Sequence, residues 1–439
     1  MAPKKKDRSR LKILGLIFSV LAVVIVAILM SKSRSGPIVA FPQALFTNLI
    51  ANPKADIGPQ KPLADSPKVI KAVYATSWSA GSEKKMSYLI NLINSTELNA
   101  IVIDVKDYSG SVTYDTYETL ADEYGTEEWR IPKINALLKR LHDNNIYVIG
   151  RVAVFEDSKL PLIRSELALK SKATGNLWKT TKGAYWLDTA SKDVWEYNVG
   201  IARDMLARGF DEVNFDYIRF ASDGVLADII YPIWNGKTPK REILKNFHAY
   251  VRDNLPTGKI SADLFGMVTT NKDDLGIGQV IEDALPYYDA VAPMVYPSHY
   301  TKNFLGYPNP AQYPYEVVKY SLDEAAKRML KYDAGREALL AQAGIASQAP
   351  RFIPLPRRAA LRPWLQDFNL GATYDAEKVR GEIRATTDSA RRCSSASLKQ
   401  PEINGNRCDD TIHDEALGQL FDGWMLWNPS NIYTKAALQ

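Results

Sequence analysis

The sequence has few of the residues on which metal, redox and nucleophile-based sites depend. It contains two cysteines and four histidines among 439 residues. A structural or catalytic zinc site needs several such ligands at short, regular spacings. No Ser–His pair, Gly-rich phosphate loop or metal-ligand set stands out along the chain. The sequence therefore predicts no metal and no cofactor, and it directs attention to carboxyl groups as the source of any chemistry.

The two cysteines, Cys393 and Cys408, lie in one polar segment rich in Ser, Arg and Asn. A disulfide between them would fit an oxidising, extracytoplasmic compartment, and we expect this pairing. Two free thiols are the alternative, and the spacing alone does not decide between them.

The folded part also lacks an excess of positive charge. The net charge is +5, but residues 1–34 contain eight Lys or Arg and one Asp, so this segment carries +7 and the remainder −2. A nucleic-acid-binding domain is typically basic over one face. We therefore expect no nucleic-acid partner.

Long apolar runs are absent except for residues 13–30, which follow the basic residues of segment 1–12. Eighteen residues form a helix of about 27 Å, close to the thickness of a bilayer core. The pattern predicts a single-pass membrane anchor with the N-terminus in the cytoplasm and the rest outside. A cleaved signal peptide is the competing interpretation, although its apolar core would be shorter. Residues 31–68 are Pro-rich and predict a disordered linker.

From residue 69 to residue 435 the pattern changes to short apolar runs that alternate with helical stretches. Near-continuous apolar strands are typical of a parallel sheet buried on both faces. The sequence therefore predicts an α/β fold, a (β/α)8 TIM barrel, with insertions at about 298–314 and 388–410. A doubly wound sheet is the rival, but no strand is followed by its Gly-rich turn. The predicted strands are Ala72–Trp78, Ala100–Val105, Tyr147–Phe155, Glu212–Phe220, Lys259–Met267, Ala290–Tyr296, Ala359–Gln366 and Gly423–Trp427.

The central stretch of the barrel is Phe210–Phe220, a strand with charged residues where it ends. Barrel enzymes keep their catalytic residues at the carboxyl ends of the strands. Asp216 is therefore the first candidate for a catalytic acid, with Arg219 beside it. The alternative is that Asp216 only pairs with Arg219 and holds the loop.

The other strand ends supply further carboxyl groups and several aromatic residues. Glycoside hydrolysis uses two carboxyl groups, one that protonates the leaving oxygen and one that attacks the anomeric carbon or activates water. The predicted catalytic residues are Asp216, Asp263, Glu156 and Asp367. The predicted substrate-binding residues are Trp78, Asp104, Lys106, Asp107, Arg219, Tyr296, His299, Gln366 and Trp427.

Several of these motifs resemble the glycosyl hydrolase domain family of bacterial surface proteins, formerly a domain of unknown function. The resemblance spans about residues 70–432 and implies a barrel and a carbohydrate substrate, without identifying the sugar. The motifs are Ala-Val-Tyr-Ala-Thr-Ser-Trp (72–78), Val-Ile-Asp-Val-Lys-Asp (102–107), Phe-Asp-Tyr-Ile-Arg-Phe (215–220), Ala-Pro-Met-Val-Tyr-Pro-Ser-His-Tyr (292–300) and Gly-Trp-Met-Leu-Trp-Asn (423–428).

A more distant similarity is to the barrels of family 18 chitinases. Met294-Val-Tyr296 matches the Met-x-Tyr of their sixth strand, and Trp427 matches the Trp under their sugar site. On the fourth strand Asp216 matches an Asp of their motif, but Ile218 takes the place of the catalytic Glu. The similarity therefore carries over the barrel but not the chitinase chemistry.

These observations predict a membrane-anchored glycoside hydrolase that acts on a cell-wall or extracellular polysaccharide. A non-catalytic carbohydrate-binding or wall-organising protein on the same barrel is the second class, since fold alone does not establish activity. A metal-dependent deacetylase is the third, and it would require His299, Asp263 and Asp216 to meet around one ion.

Overall fold

The computed structural model describes residues 56–342, 358–392 and 420–439. The predicted anchor at 13–30 and both cysteines lie outside these residues, so the membrane segment and the disulfide remain predictions. Within the described ranges, no helix combines the length and the apolar character needed to cross a membrane.

Eight parallel strands close into a barrel, as predicted. β1 pairs with β2 on one side and with β8 on the other, where Ile70 lies opposite Gly423. The strands are β1 (Ile70–Ala75), β2 (Ala100–Lys106), β3 (Tyr147–Ala153), β4 (Glu212–Asp216), β5 (Ile260–Phe265), β6 (Ala290–Met294), β7 (Ala360–Leu361 and Trp364–Gln366) and β8 (Gly423–Trp427). The interruption in β7 falls at Pro363, which has no N–H to donate to a neighbouring strand.

Several strands end earlier than the sequence pattern predicted. The prediction extended β4 to Phe220, but the strand stops at Asp216 because Tyr217 turns into the left-handed region at φ 53°. A left-handed backbone conformation costs a residue with a side chain roughly 1–3 kcal/mol, and strain of this kind is common at functional sites. The turn separates Asp216 from Arg219 and sends the two side chains in different directions.

Helices connect the strands and cover the outside of the barrel. The principal helices are α1 (Glu83–Asn94), α2 (Ile134–His142), α3 (Lys192–Arg208), α4 (Lys240–Asn254), α5 (Pro314–Gln342) and α6 (Ala376–Arg392). Shorter helices are Ser77–Ala80, Thr119–Glu123, Leu160–Ile163 and Ile281–Ala284. Gly209 ends α3 at φ 100°, and a Cβ there would meet the carbonyl oxygen of Gln60 at 2.4 Å, so this position needs glycine.

Gln60 belongs to residues 56–68, which the sequence analysis assigned to the disordered linker. In the structure these residues lack regular secondary structure but lie across the N-terminal end of the barrel. The Asp56 carboxylate accepts hydrogen bonds from the backbone N–H groups of Asn135 and Ala136 at the start of α2. The Leu63 N–H donates to Asp211. The predicted linker 31–68 is therefore too long at its C-terminal end, because residues 56–68 belong to the folded unit.

The two predicted insertions differ from each other. Residues 298–314 form a loop with short 3-10 turns at Phe304–Gly306 and Pro310–Gln312, and α5 begins at Pro314. The second predicted insertion, 388–410, begins inside α6, which continues to Arg392. Residues 393–410 lie outside the described ranges.

Candidate active site

The carboxyl ends of the strands surround a cavity of about 420 Å³. Residues from β3 to β8 reach its wall, so the cavity lies where a barrel enzyme holds its substrate. The lining residues are Arg151, Lys182, Asp216, Tyr217, Arg219, Asp263, Phe265, Gly266, Met267, Met294, Tyr296, His299, Tyr300, Trp364 and Trp427.

Arg151 of β3 is the hub of the charged groups in this cavity. Its Nη1 donates to Asp104 at 2.5 Å, and its Nε donates to Oδ2 of Asp216 at 3.2 Å. Nη2 donates to the same Asp216 oxygen, and Nε also lies 3.6 Å from Oδ2 of Asp263. A buried guanidinium that spans three carboxyl groups fixes their positions relative to one another.

Asp263 of β5 is almost completely buried, at 1% exposure. Its Oδ1 accepts hydrogen bonds from Asn214 and from the indole N–H of Trp364, at 2.9 and 2.7 Å. Its Oδ2 has no hydrogen-bond partner among the described residues. Burial, and then the negative charge of Asp216, raise the pKa of Asp263 well above its usual range. A carboxyl group with a raised pKa therefore lines the cavity beside one that is paired with Arg151.

Tyr74 and Asp104 hold the Arg151 side chain in place. The Tyr74 hydroxyl donates to Oδ2 of Asp104, whose other oxygen accepts from Arg151. Burial raises the pKa of Asp104, against the opposing effects of Arg151 and Tyr74. The sequence analysis assigned Asp104 to substrate binding, but in the structure both of its oxygens are engaged by protein, so it supports Arg151.

Glu156 and Arg219 form a separate group at the rim. The Arg219 guanidinium lies 4.0 Å from the Glu156 carboxylate, and it packs over the rings of Trp186 and Phe265. Asp216 therefore pairs with Arg151, and Arg219, its partner in the alternative interpretation of the sequence, lies beside Glu156 instead. Burial raises the pKa of Glu156 to about 7, opposed by the positive charge of Arg219. Glu156 thus exchanges a proton near neutral pH.

Aromatic rings form the opposite wall. Trp427 lies 5.9 Å from Tyr296 and 5.0 Å from Phe368, measured between ring centroids. His299 packs beside Tyr296, and burial, assisted by Lys182, lowers the pKa of His299. The predicted binding residues Tyr296, His299 and Trp427 therefore come together on one apolar face of the cavity, where the apolar side of a sugar ring would stack.

Five further predicted site residues lie away from the cavity lining. Lys106 is fully buried, where it pairs with Asp157 at 2.8 Å and donates to the carbonyl of Ala153. Asp107 pairs with Arg130 at 2.6 Å, and Arg130 covers the ring of Trp78, which is 63% exposed on the outer surface.

The remaining two predicted residues hold loops. Asp367 accepts hydrogen bonds from the N–H and hydroxyl of Thr434 and faces away from the cavity. Gln366 is buried and accepts from Ser298, so it positions the loop that carries His299. Their residue types and their positions at strand ends led to their prediction as site residues. The sequence did not show in which direction the chain turns after each strand, and this direction decides whether a side chain reaches the cavity.

The sequence analysis did not assign a role to Arg151, Tyr74, Asn214 or Trp364. A usable signal was present for Arg151: it interrupts the apolar run Tyr147–Ala153, and an arginine inside a buried strand needs buried acidic partners. Asn214 interrupts β4 in the same way. Lys182 comes from a distant loop, and nothing in its local sequence points to the cavity.

No group of three or more metal-ligating side chains converges within the described ranges. His299, Asp263 and Asp216 line one cavity but do not form such a group, so the structure gives no support to the deacetylase alternative.

Comparisons with known proteins identify the family to which the chain belongs. No curated protein matches the sequence. A hypothetical protein from Ruminiclostridium thermocellum ATCC 27405 is 36% identical over 47% of this chain and 98% of its own, with a TM-score of 0.41. The glycoside hydrolase domain of PgaB (BpsB) from Bordetella bronchiseptica is 13% identical over 85% of this chain and 99% of its own, with a TM-score of 0.48. The glycoside hydrolase domain of PelA from Pseudomonas aeruginosa is 12% identical over 84% and 97%, with a TM-score of 0.37.

The family model described as "Putative glycosyl hydrolase domain" matches residues 72–393, which include strands β2 to β7, most of β1 and all of the charged residues around Arg151. The match covers well over half of the chain and agrees with the resemblance found in the sequence motifs. The chain belongs to this glycosyl hydrolase domain family.

Proposed function

We propose that the barrel hydrolyses glycosidic bonds, with Asp263 as the proton donor and Asp216 as the group that attacks the anomeric carbon. The observation that carries the proposal is the pair of carboxyl groups in one cavity with opposite environments. Burial raises the pKa of Asp263, while the carboxyl group of Asp216 is paired with Arg151. The sequence analysis favoured Asp216 as the acid, and the hydrogen bonds favour the reverse assignment.

The two groups are close enough to act on one bond. Oδ2 of Asp216 and Oδ2 of Asp263 both lie near Nε of Arg151, so their separation cannot exceed the sum of 3.2 and 3.6 Å. Retaining glycosidases hold their carboxyl groups about 5–5.5 Å apart and inverting enzymes about 6.5–9.5 Å apart. This upper limit on the distance between the two carboxyl oxygens favours a retaining mechanism, and we propose a covalent intermediate on Asp216.

In the first step an Asp216 oxygen bonds to the anomeric carbon while the glycosidic C–O bond breaks, and the leaving oxygen takes the proton of Asp263. In the second step Asp263, now ionised, removes a proton from water. The water oxygen bonds to the anomeric carbon, Asp216 leaves, and Asp263 is protonated again. Tyr296 and Trp427 hold the sugar ring during both steps.

The proposed substrate is a cell-wall or extracellular polysaccharide, and the proposed location is the outer side of the cell membrane. Both rest on the sequence, in which a basic segment precedes the apolar run 13–30. Protease added to intact cells should degrade the barrel. Full protection in cells with a permeable outer layer would contradict this location.

The catalytic assignment is tested by screening wall and extracellular glycans for newly released reducing ends. On a substrate that the wild type cleaves, Asp263→Asn should lose roughly 10²–10⁴-fold in turnover, the usual contribution of positioned proton transfer. Asp216→Asn should lose turnover as well, because its amide cannot attack the anomeric carbon. Asp367→Asn is the matched control, because this carboxylate holds a loop away from the cavity. Near-full turnover in Asp216→Asn would remove it from the mechanism and leave Glu156, with its pKa of about 7, as the next candidate.

A binding protein without hydrolytic activity is the second candidate, and one observation favours it. Asp263 is only 1% exposed, and Arg151 occupies the space between it and Asp216. If no glycan is cleaved but oligosaccharides bind in the cavity, this second function holds.

A further inference from the structure

The loop after β3 builds a small antiparallel sheet beside the cavity, here called the lysine hairpin (residues 168–187). Its strands are joined by bridges between Ala168 and Leu187, Lys170 and Leu177, and Lys179 and Tyr185. The segment contains four lysines, Lys170, Lys172, Lys179 and Lys182, and no Asp or Glu. The chain beyond residue 34 carries a net charge of −2, so this concentration of positive charge is local.

Two of the lysines, Lys170 and Lys179, leave the same face of the hairpin, and Lys172 lies in the turn directly after the strand Lys170–Ser171. Side chains on a strand alternate between faces with a period of two, and residues directly opposite each other share a face. Lys170 lies opposite Leu177, and Lys179 is two residues after Leu177. Lys179 accordingly extends over the Tyr185 ring, 5.1 Å from its centroid.

Acidic groups near the lysines leave most of this charge unbalanced. No ion pair within 4.0 Å involves any of the four among the described residues. Asp228 approaches Lys172, but its carboxylate already accepts a hydrogen bond from the N–H of Ala173. Glu166 lies near Lys170 and pairs with Arg164.

The fourth lysine connects this face to the cavity. Lys182 lies in the turn 180–184, which is closed by hydrogen bonds between Thr180 and Ala184 and by Gly183 at φ 83°. Its side chain lines the cavity with Arg219. Its positive charge also lowers the pKa of Glu156 and that of His299, so it acts on both groups.

We propose that the lysine hairpin binds an acidic sugar chain, with carboxylates on the sugar rings that extend from the cavity past Lys182 towards Lys179, Lys172 and Lys170. This inference names the substrate class of the proposed hydrolase and rests on that function for the bond that is cut. A row of cations continuous with a sugar-sized cavity matches a polymer that carries charge along its length. A membrane surface would also attract lysines, but it would not account for Lys182 in the cavity wall.

The test uses the full chain in detergent, with oligogalacturonate and its methyl ester as probes. The two probes share sugar and linkage and differ only in charge. The acidic probe should bind more tightly, and its affinity should fall with added salt. Measuring binding in the Asp216→Asn background prevents turnover.

The combined variant Lys172→Gln, Lys179→Gln and Lys182→Gln should weaken binding of the acidic probe by roughly tenfold, since exposed ion pairs contribute modestly each. It should leave the methyl ester unaffected. The control variant Lys84→Gln, Lys245→Gln and Lys435→Gln removes the same charge from exposed helical positions and should change neither affinity.

Equal binding of the two probes, or equal weakening in both triple variants, would overturn the proposal. So would a loss of binding to phosphatidylglycerol vesicles without a loss of oligogalacturonate binding, which would make the hairpin a membrane surface. If the acidic probe binds as expected but no glycan is ever cleaved, the hydrolase function fails while the hairpin's specificity stands.

Discussion

Each end of the barrel contains an arginine that bridges acidic residues, and the arginine at the C-terminal end lines a cavity. At the N-terminal end Arg362 donates to Glu212 at 2.7 Å and to Asp422 at 3.0 Å, and Glu212 also accepts from Ser261. At the C-terminal end Arg151 joins Asp104, Asp216 and Asp263, where one oxygen of Asp263 has no hydrogen-bond partner among the described residues.

The difference separates a stabilising network from one available for chemistry. Around Arg362 both acids are paired with the guanidinium, so their charges serve the fold. Around Arg151 the pKa of Asp263 is raised by burial while Asp216 is paired with the guanidinium, and both acids line the wall of a cavity. Similar side chains therefore serve different purposes because of what lies beside them.

The largest expected effect is on the closed network. Arg362→Met leaves the buried Glu212 and the partly buried Asp422 without their cation and should lower the free energy of unfolding by about 3–5 kcal/mol. Arg151→Met should lower it less, by about 1–3 kcal/mol, because water in the cavity can solvate the remaining acids. Urea unfolding of residues 56–439 measures both. A greater loss for Arg151→Met would show that the C-terminal network is mainly structural.

Trp427→Ala should give a smaller loss of stability and a clear loss of sugar binding. Trp427 is partly exposed, so the cost should fall below the about 3–5 kcal/mol of a fully buried Trp. Loss of its ring from the wall shared with Tyr296 should weaken oligosaccharide binding by several-fold, since aromatic contacts contribute about 0.5–1.5 kcal/mol each. Thermal unfolding and titration calorimetry separate the two effects. Early unfolding with unchanged affinity would make Trp427 a core residue.

The smallest effect should come from residues that only close the N-terminal end. Asp56→Ala removes the carboxylate that accepts from the first turn of α2 and should cost about 1 kcal/mol, the usual value for a helix N-terminal acceptor. Asp65→Ala, an exposed Asp in the same segment, is the control. Equal stability of the two variants would mean that residues 56–68 do not support the barrel.

The sequence predicted the barrel well because buried parallel strands produce continuous apolar runs. All eight strands lie where such runs were found, from Ile70–Ala75 to Gly423–Trp427. The boundaries were less accurate because they depend on backbone turns. Tyr217 ends β4 in a left-handed conformation that the β-favouring run Phe215–Phe220 does not reveal.

The sequence predicted several of the residues that line the cavity, but not which of the charged side chains pair with one another. Asp216, Asp263, Tyr296, His299 and Trp427 do line the cavity. The alternative interpretation of the sequence paired Asp216 with Arg219, three residues away, whereas Asp216 pairs with Arg151 from the neighbouring strand. Contacts between strands depend on the register of the closed barrel, which local sequence does not encode.

The measurement that tests the central claim most directly is the protonation state of Asp263 at neutral pH. Infrared difference spectra between the wild type and Asp263→Asn isolate the carboxyl group of this residue. The account predicts a carboxylic-acid C=O band for the wild type at pH 7, because burial and the charge of Asp216 raise the pKa of Asp263 well above its usual range. The band should persist when Glu156 is replaced by Gln. A carboxylate signal from Asp263 at pH 7 would contradict the account, because Asp263 could not then donate the proton that glycosidic cleavage requires.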